Sequence, residues 1–476
     1  MKKLNELIEC AYDTLITGIT TNSKKVKEGM LFVAVKGMNQ DHHQYIDDAI
    51  LHKASAIIGE KDLDLPIPYI KVEDANKTLL DICKKFYNNP QENLTLVGIT
   101  GTDGKSTTAT ILYHLLSNFT KSAYMGTIGF TINDKTIKLE NTTPVVEELY
   151  KCLAQAYESN CEVVSMEASS EALLHERLNS MNFYISVLTN ITEDHLNVHK
   201  TIENYVKAKS KLFAQTNENG YCVLNKDDKH FKEIESASNG KIVTYGMDSS
   251  SDYQIQDIKE EINKTTFTIQ ANGIKYLIES PYLALYNVYN LTAAIICAHL
   301  LGPTIPEVIG YIKNLPPVKG RFEVVPVPRD YHVIIDYAHT LNSIQKIVES
   351  ARKLTKNRLI VVTGAAGGRE KEKRSHIGNF LLENADLTIF TIDDPRYESV
   401  FDIIADLVSK TKDVNYVTIP DRMQAIFYAL EVGQKDDTIL LLGKGSDNYM
   451  AIFDKKLPYD ELEIIQDYFS HMKSSL

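Results

Sequence analysis

The chain has 476 residues, 43% hydrophobic and 24% charged, an ordinary globular composition with room for roughly two to four domains. Its net charge of -12 excludes the basic footprint of a nucleic-acid-binding protein. It does not exclude an anionic small substrate, because a few local Lys and Arg outweigh the global field at short range.

The N-terminal MKKLNELIECAYDTL reads as a short amphipathic helix without the apolar core of a signal peptide. No apolar run approaches the roughly 20 residues that cross a bilayer. The cysteines, Cys10, Cys83, Cys152, Cys161, Cys222 and Cys297, form no C-x-x-C pair and suit a reducing compartment. These features predict a soluble, cytoplasmic protein with no membrane or nucleic-acid partner.

Short apolar runs then alternate with helical patterns, the signature of the α/β class. Proline punctuation at Asn88-Asn89-Pro90 and Leu315-Pro316-Pro317 marks boundaries near residues 90 and 318. The middle segment opens with a strand (LTLVGIT), a glycine turn and a helix (STTATILYHLL). The last segment carries strand-like runs VIIDY, LIVVTG, DLTIFTID and TILLLG between helical stretches. That is the rhythm of an open, mostly parallel sheet with functional loops at its carboxyl ends.

Residues 97–107 read VGITGTDGKST. Gly101 and Gly104 let backbone N–H groups turn onto phosphate oxygens, and the following helix adds partial positive charge. Lys105 can reach the β- and γ-phosphates, and the Ser106 hydroxyl can ligate Mg²⁺. The full Walker spacing needs glycine where Ile99 stands, so the loop is a shorter variant. A plain glycine turn is the alternative, and the strand–loop–helix context weighs against it.

Glu167 closes the apolar strand of CEVVSME. A carboxylate there suits Mg²⁺, although a capping or surface role is the commoner fate of such a residue. The run ISVLTNITEDHLNVHKTIENYVKAKSKLF leads a strand into Asn190, Asp194 and His195, then a helix with Lys207, Lys209 and Lys211. Neutral His is a good metal ligand. Composition does not choose among the lysines, and a polar loop followed by a charged surface helix explains the run equally well.

GTDGKST, NTTP at 141–144, EASS at 167–170, TNITEDHL at 189–196, YNVYN at 286–290, KGRFE at 319–323 and DYAHT at 336–340 stand in the order and spacing of the Mur ligases, which the chain resembles over nearly its whole length. The segments GITTNSKKVKEGMLFVAVKG and DHHQYIDDAI resemble the uridine-binding domain of the branch that adds the third peptide residue. The resemblance implies an α/β fold of three domains. These are a small N-terminal uridine-binding α/β domain (1–90), a central P-loop-type parallel-sheet domain (91–318) and a C-terminal Rossmann-like domain (319–476).

It also implies an ATP- and Mg²⁺-dependent amide ligase of peptidoglycan precursor synthesis, acting as a monomer. Lys105, His195 and Lys209 would be catalytic. ATP would meet Gly101, Thr102, Asp103, Gly104, Lys105, Ser106, Thr107, Asn287, Asn290, Arg321 and Asp336. Ser106, Glu167, His195 and a carbamylated Lys209 would hold metal. Ser23, Thr142, Thr143, Ser169, His175 and Arg177 would touch UDP-MurNAc-L-Ala-D-Glu, and Asp393, Asp394, Arg396, Gly443 and Asp447 the incoming diamino acid.

Several positions depart from the family pattern. Asp103 replaces the loop's usual Asn, Asn22-Ser23-Lys24 replaces Asp-Ser-Arg, and Ser169-Ser170-Glu171 replaces Ser-Ser-His. Asp393-Asp394-Pro395-Arg396 replaces Asp-Asn-Pro-Arg, and Gly443-Lys444-Gly445-Ser446-Asp447 replaces Gly-Lys-Gly-His-Glu. The retained Arg396 favours meso-diaminopimelate, whose distal carboxylate an Arg grips bidentately, over L-lysine. A structural pairing of Arg396 with Asp393 or Glu398 is the bland alternative. Rival readings are a folylpolyglutamate or poly-γ-glutamate type of ligase, a generic P-loop kinase and a non-catalytic UDP-sugar-binding homologue.

Overall fold

A computed structural model describes residues 1–37, 40–261, 264–369, 371–410 and 415–474. The expected N-terminal helix is confined to Leu4–Leu7, because Lys2 and Lys3 pair instead with Ile16 and Leu15 in a two-stranded ladder. Leu4 and Leu7 are buried, so the amphipathic reading holds for one turn only. The next apolar runs form a four-stranded parallel sheet, Gly18–Thr20, Met30–Val33, Ala56–Gly59 and Tyr69–Lys71, whose spatial order follows the chain. Asp74 caps the Ala75–Phe86 helix by accepting from Lys77 N at 2.9 Å, and that helix buries Leu79, Ile82 and Cys83.

The chain divides into two units, residues 1–102, 116–224 and 228–243 in the first and 103–115, 225–227 and 244–476 in the second. In the first unit, Ser122–Gly126, Val163–Glu167, Thr95–Thr100, Phe183–Leu188 and Thr216–Asn225 lie side by side as parallel neighbours. Thr95–Thr100 is central, and five of its six residues are buried. Strands covered on both faces need continuous apolar runs, and VGI, VVSM and FYISVL supply them.

The second unit holds an antiparallel meander, Tyr253–Glu260, Thr265–Ala271 and Ile274–Ser280. It also holds a six-stranded sheet ordered Glu323–Val325, His332–Asp336, Thr438–Leu442, Leu359–Thr363, Leu387–Phe390 and Tyr416–Thr418. All of its pairings are parallel except the first. Ile334, Val361, Phe390 and Leu440 bury one face and Val333, Ile335, Ile360, Val362 and Ile439 the other. The last strand in sequence inserts beside His332–Asp336, so the sheet reverses direction there, as in doubly wound folds.

Arg422, fully buried, is held by Glu461, which is 2% exposed, through Nη2 at 2.6 Å and Nε at 2.9 Å. Removing one partner of a buried ion pair strands the other charge, at a cost of about 3–5 kcal/mol. Glu461→Ala is therefore expected to lower stability by about that amount, read from urea unfolding midpoints, whereas Arg422→Met combined with Glu461→Leu should recover most of the loss.

Candidate active site

The glycine loop leaves the carboxyl end of Thr95–Thr100, where the register sets Ile99 against Glu167 and Thr100 against Leu188. Thr100 Oγ1 donates to the Ala168 carbonyl at 2.7 Å. Thr102 Oγ1 donates to Thr192 O at 3.1 Å and accepts from Thr192 N at 2.9 Å, tying the loop to the 189–194 segment. Gly101 has φ +152°, and a Cβ there would overlap Thr189 Oγ1. Gly104 has φ +83°, and a Cβ there would overlap Asn290 Oδ1. Neither place admits another residue without displacement. The Lys105–Leu116 helix starts at once, with Ser106 and Thr107 buried.

Within the second unit, Arg321 Nη2 donates to Ser106 Oγ at 3.3 Å, and its guanidinium lies 4.5 Å from the Tyr337 ring centre. Lys346 Nζ stands 3.2 Å from Asp103 Oδ2. Thr108 Oγ1 donates to Asn290 Oδ1 at 3.3 Å, and Asn290 Nδ2 to Asn287 Oδ1 at 3.0 Å. Asp336 accepts from Phe322 N and Ala338 N, each at 2.7 Å. Burial raises its pKa, against the pull of Arg321. Thus Asp103, Ser106, Asn287, Asn290, Arg321 and Asp336 all take part in side-chain contacts around the helix start and the KGRFE and DYAHT segments.

In the first unit, Glu167 is 1% exposed. Its Oε1 accepts from Tyr124 OH at 2.7 Å and Thr127 N at 2.8 Å, and its Oε2 from Thr127 Oγ1 at 3.2 Å. Of the three candidate lysines, Lys207 is exposed, Lys211 pairs with Glu176 at 3.4 Å, and Lys209 is 1% exposed. Lys209 Nζ donates to Gly101 O at 2.7 Å and sits 4.4 Å from the Tyr205 ring centre. His195 adopts a left-handed conformation (φ 52°) and approaches Glu171 and Asp194 at 3.6 Å each. Backbone of this kind persists where surrounding structure over-determines it.

Thr143 Oγ1 donates to Glu167 O at 2.7 Å and accepts from Ser169 N at 3.0 Å, and Arg177 Nη1 donates to Thr143 O at 3.2 Å. Thr142 Oγ1 lies 3.0 Å from Thr127 Oγ1. NTTP, EASS and Arg177 therefore form one hydrogen-bonded group with Glu167. Half-buried His175 has its pKa lowered by burial and then by Arg177. Ser23 is buried in a short turn of the N-terminal segment.

In the second unit, fully buried Lys444 stands 2.7 Å from Asp394, 3.5 Å from Asp447 and 3.8 Å from Asp393. Burial works against its charge, but the three acids prevail and raise its pKa. Asp394 Oδ1 also accepts from Ala451 N at 2.8 Å. Glu398 is taken by Arg374 at 2.8 Å, which holds its carboxyl down at about 2. Arg396, at φ 53°, is exposed, and its guanidinium makes no ion pair with a described residue. The bland pairing with Asp393 or Glu398 is thus not formed. A groove of about 770 Å³ adjoins this loop, lined by Ile392, Phe401, Met450 and Ile452, but Asp393, Asp394 and Lys444 do not line it.

Among the described residues no three His, Cys, Asp or Glu side chains form a ready-made ion cage. Mg²⁺ ordinarily takes one or two protein carboxylates and fills its shell with phosphate oxygens and water. The His195 imidazole, a nitrogen donor, fits a softer metal better, whereas the buried Glu167 carboxylate in the first unit and the Ser106 hydroxyl in the second suit that chemistry. The Lys209 amine does not, unless a carbamate gives it oxygen donors.

Tyr124, Thr127, Tyr205, Lys346 and Lys444 are supporting residues that the motifs did not single out. Only Lys444 carried a local signal, by lying inside GKGSD.

The geometry defines an α/β protein with a glycine loop at the head of one parallel sheet and a second, doubly wound sheet. Residues 99–298 match the Mur ligase middle domain, and residues 320–445 match the glutamate ligase domain of Mur ligases. A UDP-N-acetylmuramoyl-L-alanyl-D-glutamate–2,6-diaminopimelate ligase of Caldanaerobacter subterraneus is 38% identical over 457 residues, covering 95% of this chain and 94% of that protein. The like-named Bacillus cereus protein is 34% identical, with 98% of both chains covered. A solved structure of a ligase with that name aligns at TM-score 0.69 and 26% identity over 99% of this chain and 100% of the other. The Thermotoga maritima MurF ligase in complex with ADP aligns at TM-score 0.69 and 22% identity over 98% and 100%, a likeness of fold. The chain belongs to the Mur ligase family. Among the described residues no helix is long and apolar enough to cross a membrane.

His199, 3% exposed, has Nε2 3.0 Å from Ser170 Oγ and a buried Nδ1 without a hydrogen-bond partner. Burial, then the His195 and Lys209 charges, lowers its pKa below the ordinary 6.5. The folded chain holds the neutral ring, so its contribution is intact above the unfolded pKa and is lost as pH falls through it. Urea midpoints measured from about pH 7.5 down to about pH 5.5 should fall more steeply in the parent protein than in His199→Asn.

Proposed function

We propose that this chain is an ATP-dependent amide ligase that joins diaminopimelate to the D-Glu side-chain carboxylate of UDP-MurNAc-L-Ala-D-Glu. The observation that carries this reading is Lys209. An amine buried to 1% exposure, 2.7 Å from the Gly101 carbonyl of the glycine loop, is a costly burial of the kind that clusters at functional sites. The relatives named as diaminopimelate ligases favour the substrate pair. Arg396, without an ion pair of its own, favours a diamino acid with a distal carboxylate over lysine.

In this reading residues 1–90 bind the UDP end, 91–318 carry the ATP chemistry, and 319–476 contribute the ribose and amino-acid contacts. Lys105 and the loop N–H groups bind the ATP phosphates, Asn287 and Asn290 lie by the adenine, Arg321 meets phosphate and Asp336 meets ribose. Ser106, Glu167, His195 and carbamylated Lys209 would hold Mg²⁺, which would neutralise phosphate charge there. A carboxylate oxygen attacks the γ-phosphorus, the bridging P–O bond breaks, and ADP leaves an acyl phosphate. The free amine then attacks the acyl carbon, the C–O bond breaks, inorganic phosphate departs, and the amine proton is released. Catalysis is mainly positioning and charge neutralisation. Thr143, Ser169 and Arg177 hold the muramoyl-peptide, and Asp447 the distal ammonium.

Phosphate release from ATP, measured with UDP-MurNAc-L-Ala-D-Glu and diaminopimelate, lysine, ornithine or glutamate, tests the assignment. Turnover should be fastest with diaminopimelate and be lost in Lys105→Ala. Faster turnover with lysine would move the specificity, and silence across the panel would move the function elsewhere in the family. Bicarbonate depletion should lower activity reversibly if Lys209 is carbamylated, and Lys209→Met should be insensitive to bicarbonate.

A further inference from the structure

Two segments that the proposed function sets at opposite ends of one substrate are joined by a single buried carboxylate. Glu147 lies in the first turn of the Val146–Glu158 helix, directly after the NTTP segment. It is only 9% exposed. Its Oε1 accepts from both Thr21 N at 2.9 Å and Thr21 Oγ1 at 2.8 Å. Thr21 precedes Asn22 and the short turn Ser23–Lys25. Beside this contact, Lys25 Nζ pairs with Glu140 Oε1 at 2.8 Å, joining the same two segments at the surface. That second pair is about half exposed on Lys25 and more on Glu140, so it contributes little by itself.

Glu147 is an unusual choice for a purely structural contact. Its Oε2 is buried and has no hydrogen-bond partner among the described residues. A buried acceptor without a donor opposes folding, so the second oxygen adds nothing to this contact. What the carboxylate provides instead is a doubly accepted, charge-assisted link whose length and direction are fixed. The helix start favours an acid there, because the unpaired N–H groups of the first turn carry partial positive charge.

We propose that Glu147 is a positioning residue that fixes the spacing between the turn at Ser23 and the Thr142–Thr143 segment, and so selects a ligand that spans both. This rests on the proposed function, in which Ser23 meets the uridine end and Thr142 and Thr143 the muramoyl-peptide. A ligand held at two places gains from the second contact only if the spacing is set beforehand. A ligand that touches one place gains nothing from the clip.

The test is calorimetric binding of UDP-MurNAc-L-Ala-D-Glu and of UDP alone to the full chain. In Glu147→Ala the Kd of the muramoyl dipeptide should rise about tenfold or more, while that of UDP changes less than about twofold. Glu147→Gln keeps an acceptor oxygen and should restore most of the affinity. Thr21→Val removes one of the two donors, and should weaken the spanning ligand in the parent but not further in Glu147→Ala. Equal weakening of both ligands would show local damage to the uridine end and overturn the proposal. So would a loss of thermal stability in Glu147→Ala with both affinities unchanged. If the parent chain bound neither ligand, the proposed function would fall and the clip with it. Binding of both by the parent with no selective effect of Glu147→Ala would overturn the clip alone.

Discussion

The first unit depends on one topological constraint: three adjacent parallel strands end in register. Because Ile99 faces Glu167 and Thr100 faces Leu188, the turns after all three strands meet at one edge. Parallel strands need long crossovers, so the three turns come from distant parts of the chain and each is free to carry different chemistry. The first brings Gly101 and Thr102, the second Glu167 to Ser169, and the third Thr189 and Asn190. Thr100 Oγ1 to Ala168 O and Thr102 Oγ1 to Thr192 O stitch these turns together. A slip of one residue in the pairing of Ile99 with Glu167 would turn Glu167 to the opposite face of the sheet.

Each unit buries polar groups that an ordinary core would exclude. Glu167, Lys209, Asp336 and Lys444 are each less than one-tenth exposed. Each has nearby donors, acceptors or counter-charges, as burial of such groups requires. Glu167 rests on Tyr124 and Thr127, Lys209 on Gly101 O and the Tyr205 ring, and Asp336 on two backbone N–H groups. The exposed Lys207 on the same helix shows the contrast. Helical periodicity carries Lys209 inward with Tyr205, Ala208 and Leu212, while Lys207 points to solvent.

This contrast marks what was legible in the sequence. The glycine loop, the strand before it, the helix after it and the four C-terminal strand runs all follow from local patterns, and all are present. Local patterns failed where a distant partner decides. The N-terminal helix starts only at Leu4 because residues 15 and 16 capture Lys2 and Lys3. Lys209 stands out from its neighbours only once the 101 loop is packed beside it, 108 residues away in sequence. Tyr124 and Thr127 lie about 40 residues from the carboxylate they hold and belong to no motif. The motifs named candidate residues by position, whereas the residues that support them became visible only through contacts.

The same contacts give physical sense to two departures from the family pattern. Each replaces an Asn by an acid, and each acid lies against a lysine. Asp103 meets Lys346 at 3.2 Å, and Asp394 meets Lys444 at 2.7 Å. The two cases differ in strength. Both members of the first pair are more than one-third exposed, so water and salt screen it and Asp103 keeps much of its field at the phosphate loop. The second is enclosed, with Lys444 fully buried. There one oxygen of Asp394 takes both the ammonium and Ala451 N, as an Asn carbonyl could. Lys444 also faces Asp393 and Asp447, so one ammonium offsets only part of the charge of three acids, while Asp394 keeps the acceptor role that an amide oxygen would have there.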